Sequence, residues 1–300
     1  MSGLQADGGL FMREKAEFTD VDLIGAHVGF RLSLSGSRVT GTLNMTGLQV
    51  DDLLMSDNAE LTAVDLSHAH VGGLLNLNWS KVTDKLDLSR TEIGGALHLD
   101  SAQWSCGVSL ILRDAKVGII PALADAWAPK LDFDGLTYRS VGATDKFENW
   151  FGRFDHYAPQ PYDQLASVVQ SQGDSTLATK IRYSGRERQR SEARDGTWVW
   201  LTALKWVIGY GYYPHYAMRW VIGLVLAGAG VLRVSGEGRR NGMPYGLAYS
   251  FDMLLPIIQL RKRHSDIDLQ GWPRYYFYGQ KIMGWVLGSF LIAALSGLTK

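Results

Sequence analysis

An eleven-residue periodicity in large apolar residues runs from Met12 to Val117 and constrains the fold more than any other feature of the chain. Met12, Phe18, Leu23, Val28, Leu34, Val39, Met45 and Val50 fall in steps of five and six. After Ser56, the one polar residue on the register, the steps continue through Leu61, Leu66, Val71, Leu77, Val82, Leu88, Ile93, Leu99, Trp104 and Leu110. An eleven-residue helical repeat places apolar residues at steps of three and four, so the register excludes a helix. Steps of five and six fit short strands joined by corners. In extended chain the residue two before an inward position also points inward. On one kind of face that residue is large (Leu32, Leu43, Leu54, Val64, Leu75, Leu86, Leu97, Val108); on the other it is small, as at Ala26, Ser37, Ala69, Ser80, Thr91, Ala102 and Ala115. Gly29, Gly36, Gly41, Gly47 and the pairs Gly72–Gly73 and Gly94–Gly95 lie between faces, where a missing side chain permits a sharp corner. Four faces make one coil, so residues 1–140 are expected to form a β-helix of about five coils, with Pro121 to Tyr138 as its C-terminal cap.

The stretches DLSHAHVGGLLNL (65–77) and DLSRTEIGGALHL (87–99) resemble repeats of the pentapeptide-repeat family. The resemblance implies a four-sided, right-handed β-helix. Both stretches depart from the A(D/N)LXX pattern by an extra residue on alternate faces and by Leu where Ala is usual. With PQPYDQLA (159–166) and an apolar tail, the whole chain is similar to bacterial membrane proteins that carry such degenerate repeats, some of them labelled membrane-associated oxidoreductases. The residues add nothing to that label. No glycine fingerprint follows a strand, and Cys106 is the single cysteine, which also excludes a disulfide framework. No acid–base pair or nucleophile constellation is visible, so no catalytic residue, cofactor or metal is expected.

Charge divides the chain as the periodicity does. Residues 1–139 hold eighteen Asp and Glu against eleven Lys and Arg, a net of −7, and the remainder compensates to zero. An acidic rod is similar to the duplex-mimicking pentapeptide proteins, but a membrane-tethered one reaches chromosomal targets poorly, so a nucleic-acid role is disfavoured.

Residues 141–195 change to a helical period. Tyr162, Leu165, Val168 and Val169 form one stripe, Gly173 stops it, and Leu177 with Ile181 begins another: an αα-hairpin. Its second helix carries Arg182, Arg186, Arg190 and Arg194, suited to anionic lipid headgroups.

Residues 196–300 read as a membrane region. Eight Trp and Tyr crowd between Trp198 and Trp220, the density of a membrane interface, and His215–Val234 and Ile282–Leu298 are candidate spans. Between them, Tyr245–Leu260 is expected to be an amphipathic interfacial helix, with Leu247, Phe251, Leu254 and Ile258 on its apolar face and Tyr249, Asp252 and Gln259 on its polar face. Asp252 is the candidate ion-path residue, as a carboxylate at membrane depth. Gly223, Ala227, Gly284, Gly288, Ala293 and Gly297 are candidate helix-packing residues that permit close approach within a chain or in a homo-oligomer. The basic residues of 239–274 favour the cytoplasmic side, as the β-helix does, so either a hairpin carries them across or one run lies in the membrane plane.

His27, Gln49, His70 and Glu92 occupy equivalent places on successive coils and are expected to stack as a solvated ladder. The sequence therefore supports two functions. One is a non-enzymatic scaffold, anchored in the bacterial inner membrane, presenting its β-helix to a cytoplasmic protein partner. The other is an oligomeric, channel-like or membrane-permeabilising protein gated by that β-helix.

Overall fold

The computed structural model describes residues 2–99, 101–122, 127–144, 146–154, 156–213, 215–243, 246–255, 261–262 and 267–295. The chain divides into two compact units, Met1–Arg188 and Gln189–Lys300.

The first unit is built on a parallel β-solenoid of about six turns. One sheet stacks His27–Ser33, Gln49–Leu54, Leu75–Asn76, Glu92–His98, Lys116–Ala122 and Thr137–Ala143. The other stacks Arg38–Asn44, Glu60–Asp65, Lys81–Asp87, Ser109–Ile111 and Lys130–Asp132. Within a turn the ladder breaks into short stretches, as at His27–Val28, Arg31–Ser33, Arg38–Val39 and Thr42–Asn44, with a register shift between the two stretches of each of these strands.

The core follows the eleven-residue register. Leu23, Leu34, Met45, Leu66, Leu77 and Leu88 are fully buried, as are Leu32, Leu43, Leu75 and Leu86 of the second set. Each such leucine contributes about 1.5–3 kcal/mol by leaving water. Leu54 departs from the expectation: Leu53 and Met55 are fully buried on either side of it, and it is half-exposed. The strand there is one residue short, and Leu53 pairs with both Leu32 and Leu75. That slip places Met55 on the inward line and Ser56 just past it, where Ser56 Oγ hydrogen-bonds Ser35 Oγ at 3.0 Å.

The chain passes between sheets through β-turns closed by bonds such as Ala26 N–H to Leu23 O (3.0 Å) and Ser80 N–H to Leu77 O (3.1 Å). The third residue of these turns takes positive φ. Gly25, Gly36 and Gly47 adopt it freely, whereas Asn58, His68, Trp79, Arg90 and Asp114 hold it with a side chain attached, a conformation that costs about 1–2 kcal/mol for an L-residue. The small inward residues Ser37 and Ser80 are buried with their hydroxyls satisfied, each donating to the carbonyl three residues back at 2.6 Å. Between the corners a second glycine column has a different cause: a Cβ at Gly95 or Gly118 would run into the backbone of the preceding coil.

The solenoid continues past the point where the apolar register ends. Pro121 to Tyr138, expected as a cap, instead supplies Lys130–Asp132 and part of Thr137–Ala143, a further turn paired in parallel to the one before. Its buried positions hold the aromatics Trp127, Phe133 and Tyr138 alongside Leu131 and Leu136. The last strand is closed by helices α1 (Phe147–Phe151), α2 (Pro159–Ser171) and α3 (Ser175–Glu192). The side-chain amides of Gln160, Gln164 and Gln172, on and just after α2, donate to the carbonyls of Leu136, Tyr138 and Val141 at 2.8, 2.9 and 2.8 Å. They take the place of a next strand and blunt an edge that would otherwise template further pairing. Phe147, Trp150, Phe151 and Phe154 are buried beneath, with Tyr162 stacked on Phe151 at 4.0 Å.

The second unit is helical: α4 (Gly196–Ile208), a 3-10 turn (Gly209–Gly211), α5 (His215–Val234), α6 (Glu237–Arg240), α7 (Leu247–Leu254) and α8 (Trp272–Leu295). Among the described residues α5 is the one helix long and apolar enough to cross a membrane, with a mean hydropathy of 1.6. The second expected span, Ile282–Leu298, falls on the C-terminal part of α8, which does not meet that measure among the described residues; 296–298 lie outside them. The amphipathic helix expected over Tyr245–Leu260 is described only as α7, and Tyr245, Ile258 and Gln259 lie outside the described residues.

Two substitutions test the solenoid. Leu88→Asp places a carboxylate in a fully buried slot, a cost of several kcal/mol against a total stability of about 5–15, and should leave no cooperative thermal transition by circular dichroism. Trp79→Gly acts oppositely: the side chain is 62% exposed at φ 62°, so relief of backbone strain should raise stability by about 1 kcal/mol in urea denaturation.

Candidate functional site

The arrangement with the most chemical content lies inside the helical unit. On α7, Tyr249, Ser250, Asp252 and Leu254 are buried, while Leu247 (44% exposed) and Phe251 (39%) face outward. The face expected to meet water is thus the one turned into the protein, and Leu254, expected on the apolar face, joins it. The cause is polar pairing across helices. The Gln280 side-chain amide of α8, 2% exposed, donates to Ser250 O at 2.8 Å and to Ser250 Oγ at 2.9 Å. Ser250 Oγ and Tyr276 Oη in turn reach the Leu224 carbonyl of α5, each at 3.5 Å. The other Gln280 side-chain atom, Oε1, is buried without a hydrogen-bond partner.

Two glycines make this closeness possible. A Cβ on Gly228 would run into Ser250 Oγ and Gln280 Oε1, and one on Gly284 would run into the Leu254 carbonyl. Gly284 therefore lies directly against α7. On α5 the close contact falls at Gly228. Gly223 has nothing within 4 Å of where its Cβ would stand, and Ala227 is exposed. Gly288 is half-buried; Ala293 is within α8 with its side chain undescribed, and Gly297 lies outside the described residues.

Sequence reasoning singled out Asp252 and missed Ser250, Gln280 and Gly228. A weak signal existed: Gln280 and Gly284 are four residues apart and so share a helix face. A second buried acid was also missed. Glu237 is 5% exposed and accepts from Arg240 Nη1 at 3.0 Å and Asn241 Nδ2 at 3.1 Å.

On the solenoid the expected ladder is present. His27, Gln49, His70 and Glu92 pair in register, and Lys116 extends the column. His27 Nδ1 lies 3.3 Å from Gln49 Oε1, His70 Nδ1 lies 3.6 Å from Glu92, and Lys116 Nζ lies 2.7 Å from Glu92. The hydrogen bond from Lys116, then its charge, holds the Glu92 carboxyl below its usual value, and Glu92 raises Lys116. A shallow groove beside the column is lined by His70, Glu92, Lys116, Thr137 and Arg139 over a floor that includes Gly94 and Gly118. Other cations of the acidic half pair along the axis in the same way, Arg31 with Asp52 at 3.0 Å and Arg38 with Glu60 at 2.7 Å. Among the described residues no three His, Cys, Asp or Glu side chains come together as a metal cluster would require. Cys106 is an exposed free thiol.

The four arginines expected at lipid do not form one free basic face. Arg182 donates to Gln170 Oε1 at 2.9 Å, Arg186 is exposed, Arg190 is half-buried, and Arg194 lies beyond the end of α3. Their neighbour Arg188 is occupied structurally, donating to the Phe151 and Phe154 carbonyls at 3.0 and 2.8 Å.

No protein-family model, curated protein or solved structure matches the chain. The likeness to pentapeptide repeats therefore rests on the residues of 65–77 and 87–99 themselves.

Glu92 gives a titration with a definite sign. Its depressed pKa means that its contribution to stability is held above the ordinary carboxylate range and lost as pH falls through the folded value. A carboxyl NMR titration should place Glu92 below 4.5, and Lys116→Met should move it upward. In the helical unit, Gly284→Leu should separate α7 from α8 and lower the melting temperature of the full chain in detergent, whereas Gly223→Leu should leave it unchanged in the monomer.

Proposed function

We propose that the chain is a non-enzymatic scaffold anchored in the bacterial inner membrane, holding its solenoid in the cytoplasm for a protein partner. One observation carries the reading. Helix α5 is a twenty-residue apolar helix with only 17% of its apolar window buried, so its surface needs a non-aqueous environment. The same need extends to the outward residues Ile282, Met283, Trp285 and Val286 of α8. Trp198, Trp200, Trp206 and Trp220 are exposed as well, in keeping with a belt at the membrane interface. The solenoid suits a partner by its form. Its coils are laid in parallel register, so outward side chains stand in straight columns, with a groove beside the His70–Glu92–Lys116 column. In this reading the repeat is of the pentapeptide kind, four-sided and right-handed, Arg186 and Arg194 meet anionic headgroups, and the outward Gly223–Ala227 face serves a weak homo-oligomer.

A second reading, a channel-like or permeabilising assembly, is favoured by the inward polar face of α7 and by Asp252, a carboxylate only 5% exposed in an apolar setting.

Two measurements separate these. Full-length protein should resist carbonate extraction, while a chain ending at Arg194 should stay in solution without detergent; release of the full-length protein by carbonate rejects the anchor. Purified protein in liposomes should pass no ions above the lipid background if it is a scaffold, and Asp252-dependent flux would shift the conclusion to the channel.

A further inference from the structure

The level at which α7 sits against α5 has a consequence for how the chain enters the membrane. Gly246, at the head of α7, abuts Ala229 and Leu232 of α5. One helical turn on, Ser250 meets Gly228 and the Leu224 carbonyl. Helix α7 therefore runs antiparallel to α5, starting near the Val234 end. Leu224 and Gly228 are the tenth and fourteenth of the twenty residues of α5, so Ser250 stands just past the middle, on the Val234 side, of a helix about 30 Å long. A further turn brings Leu254 against Gly284 of α8, and there the helix stops: Leu255 is extended, at φ −75° and ψ 120°.

We propose that α7 is a re-entrant half-helix, which enters the lipid beside α5 and ends near mid-depth without crossing. This rests on the membrane anchor argued above. The distribution of side chains on α7 fits that position and not an interfacial one. An interfacial helix turns its polar face to water. Here Ser250 and Asp252 turn inward, Ser250 paired with Gln280, while Leu247 and Phe251 face outward on the same unit as Ile222 and Leu226 of α5. The occupant of that outward face is lipid acyl chain. Chain that stops being helical at this depth is tolerated only where protein buries it or water reaches it. Gly284 supplies the burial at Leu254, because its missing side chain lets α8 cover the Leu254 carbonyl directly. Asp252 is thereby placed at mid-depth on the protein-facing side.

The test uses the full chain in lipid vesicles, with Cys106→Ser removing the native thiol. Phe251→Cys, Leu247→Cys, Leu226→Cys and Val234→Cys are each labelled with an environment-sensitive fluorophore. Quenching is then compared between lipids brominated near the headgroup and lipids brominated near the acyl terminus. A label at 226 should be quenched more by the deep bromines and one at 234 more by the shallow ones. The re-entrant helix requires 251 to follow 226, and 247 to fall between 251 and 234. If 251 follows 234, or is quenched by aqueous iodide, α7 lies at the interface and the proposal is overturned while the anchor stands. If the label at 226 also sees no bromine, the anchor fails and takes the half-helix with it. The 247 label covers the case in which Phe251→Cys fails to fold, since a shallow-only signal there, equal to that at 234, also overturns the proposal.

Discussion

The solenoid depends on one constraint: each coil must lay its backbone onto the coil before it at strand spacing, residue on equivalent residue. Once that stacking holds, inward positions can only repeat, and the leucine register, the small turn residues and the outward columns follow from it. The glycine column has the same origin. Where the ladder shifts inside a long strand, the backbone of one coil comes so close to the next that Gly95 and Gly118 have no room for a Cβ. Parallel stacking also explains why so many surface ion pairs join residues one turn apart, as in Arg38–Glu60 and Lys116–Glu92. Such exposed pairs are each worth little, about 0–1 kcal/mol, but they neutralise columns that would otherwise set like charges above one another.

A stack of this kind has ends, and the C-terminal one shows how an edge is closed without another strand. Three glutamines from one helical region satisfy three carbonyls on and just before the last strand, and an aromatic cluster packs beneath. Arg188, which by sequence looks like one more member of a basic face, spends its donors on the carbonyls that end α1 and the loop after it.

The helical unit obeys a different rule. Beside a small apolar core at Leu232, Tyr249, Leu269 and Phe277 it buries polar side chains such as Ser250 and Gln280, while Ile222, Leu226, Ile282 and Trp285 are exposed. Gln280 Nε2 donates to Ser250 O and Oγ across two helices, so these buried groups are paired within the protein, while Gln280 Oε1 is left without a partner. Small residues at Gly228 and Gly284 set the distance, since neither pairing survives a side chain at these positions.

The repeat was legible because it is a local property: period, corner chemistry and inward size are all written along the chain, and Leu77 or Leu88 could be placed inward from spacing alone. Leu54 and the supposed cap at Pro121–Tyr138 were misread where a strand lost one residue and where aromatics stand alongside the leucines, because a register is read by continuity and both changes break it. The orientation of α7 was not legible at all. Its two faces could be listed from the sequence, but which of them meets the protein depends on Gln280, thirty residues further on, and on the absence of side chains at Gly228 and Gly284. Periodicity determines that a helix has two faces; only the partners brought together by the tertiary structure decide which face is buried, because burial energy belongs to the pair and not to the segment.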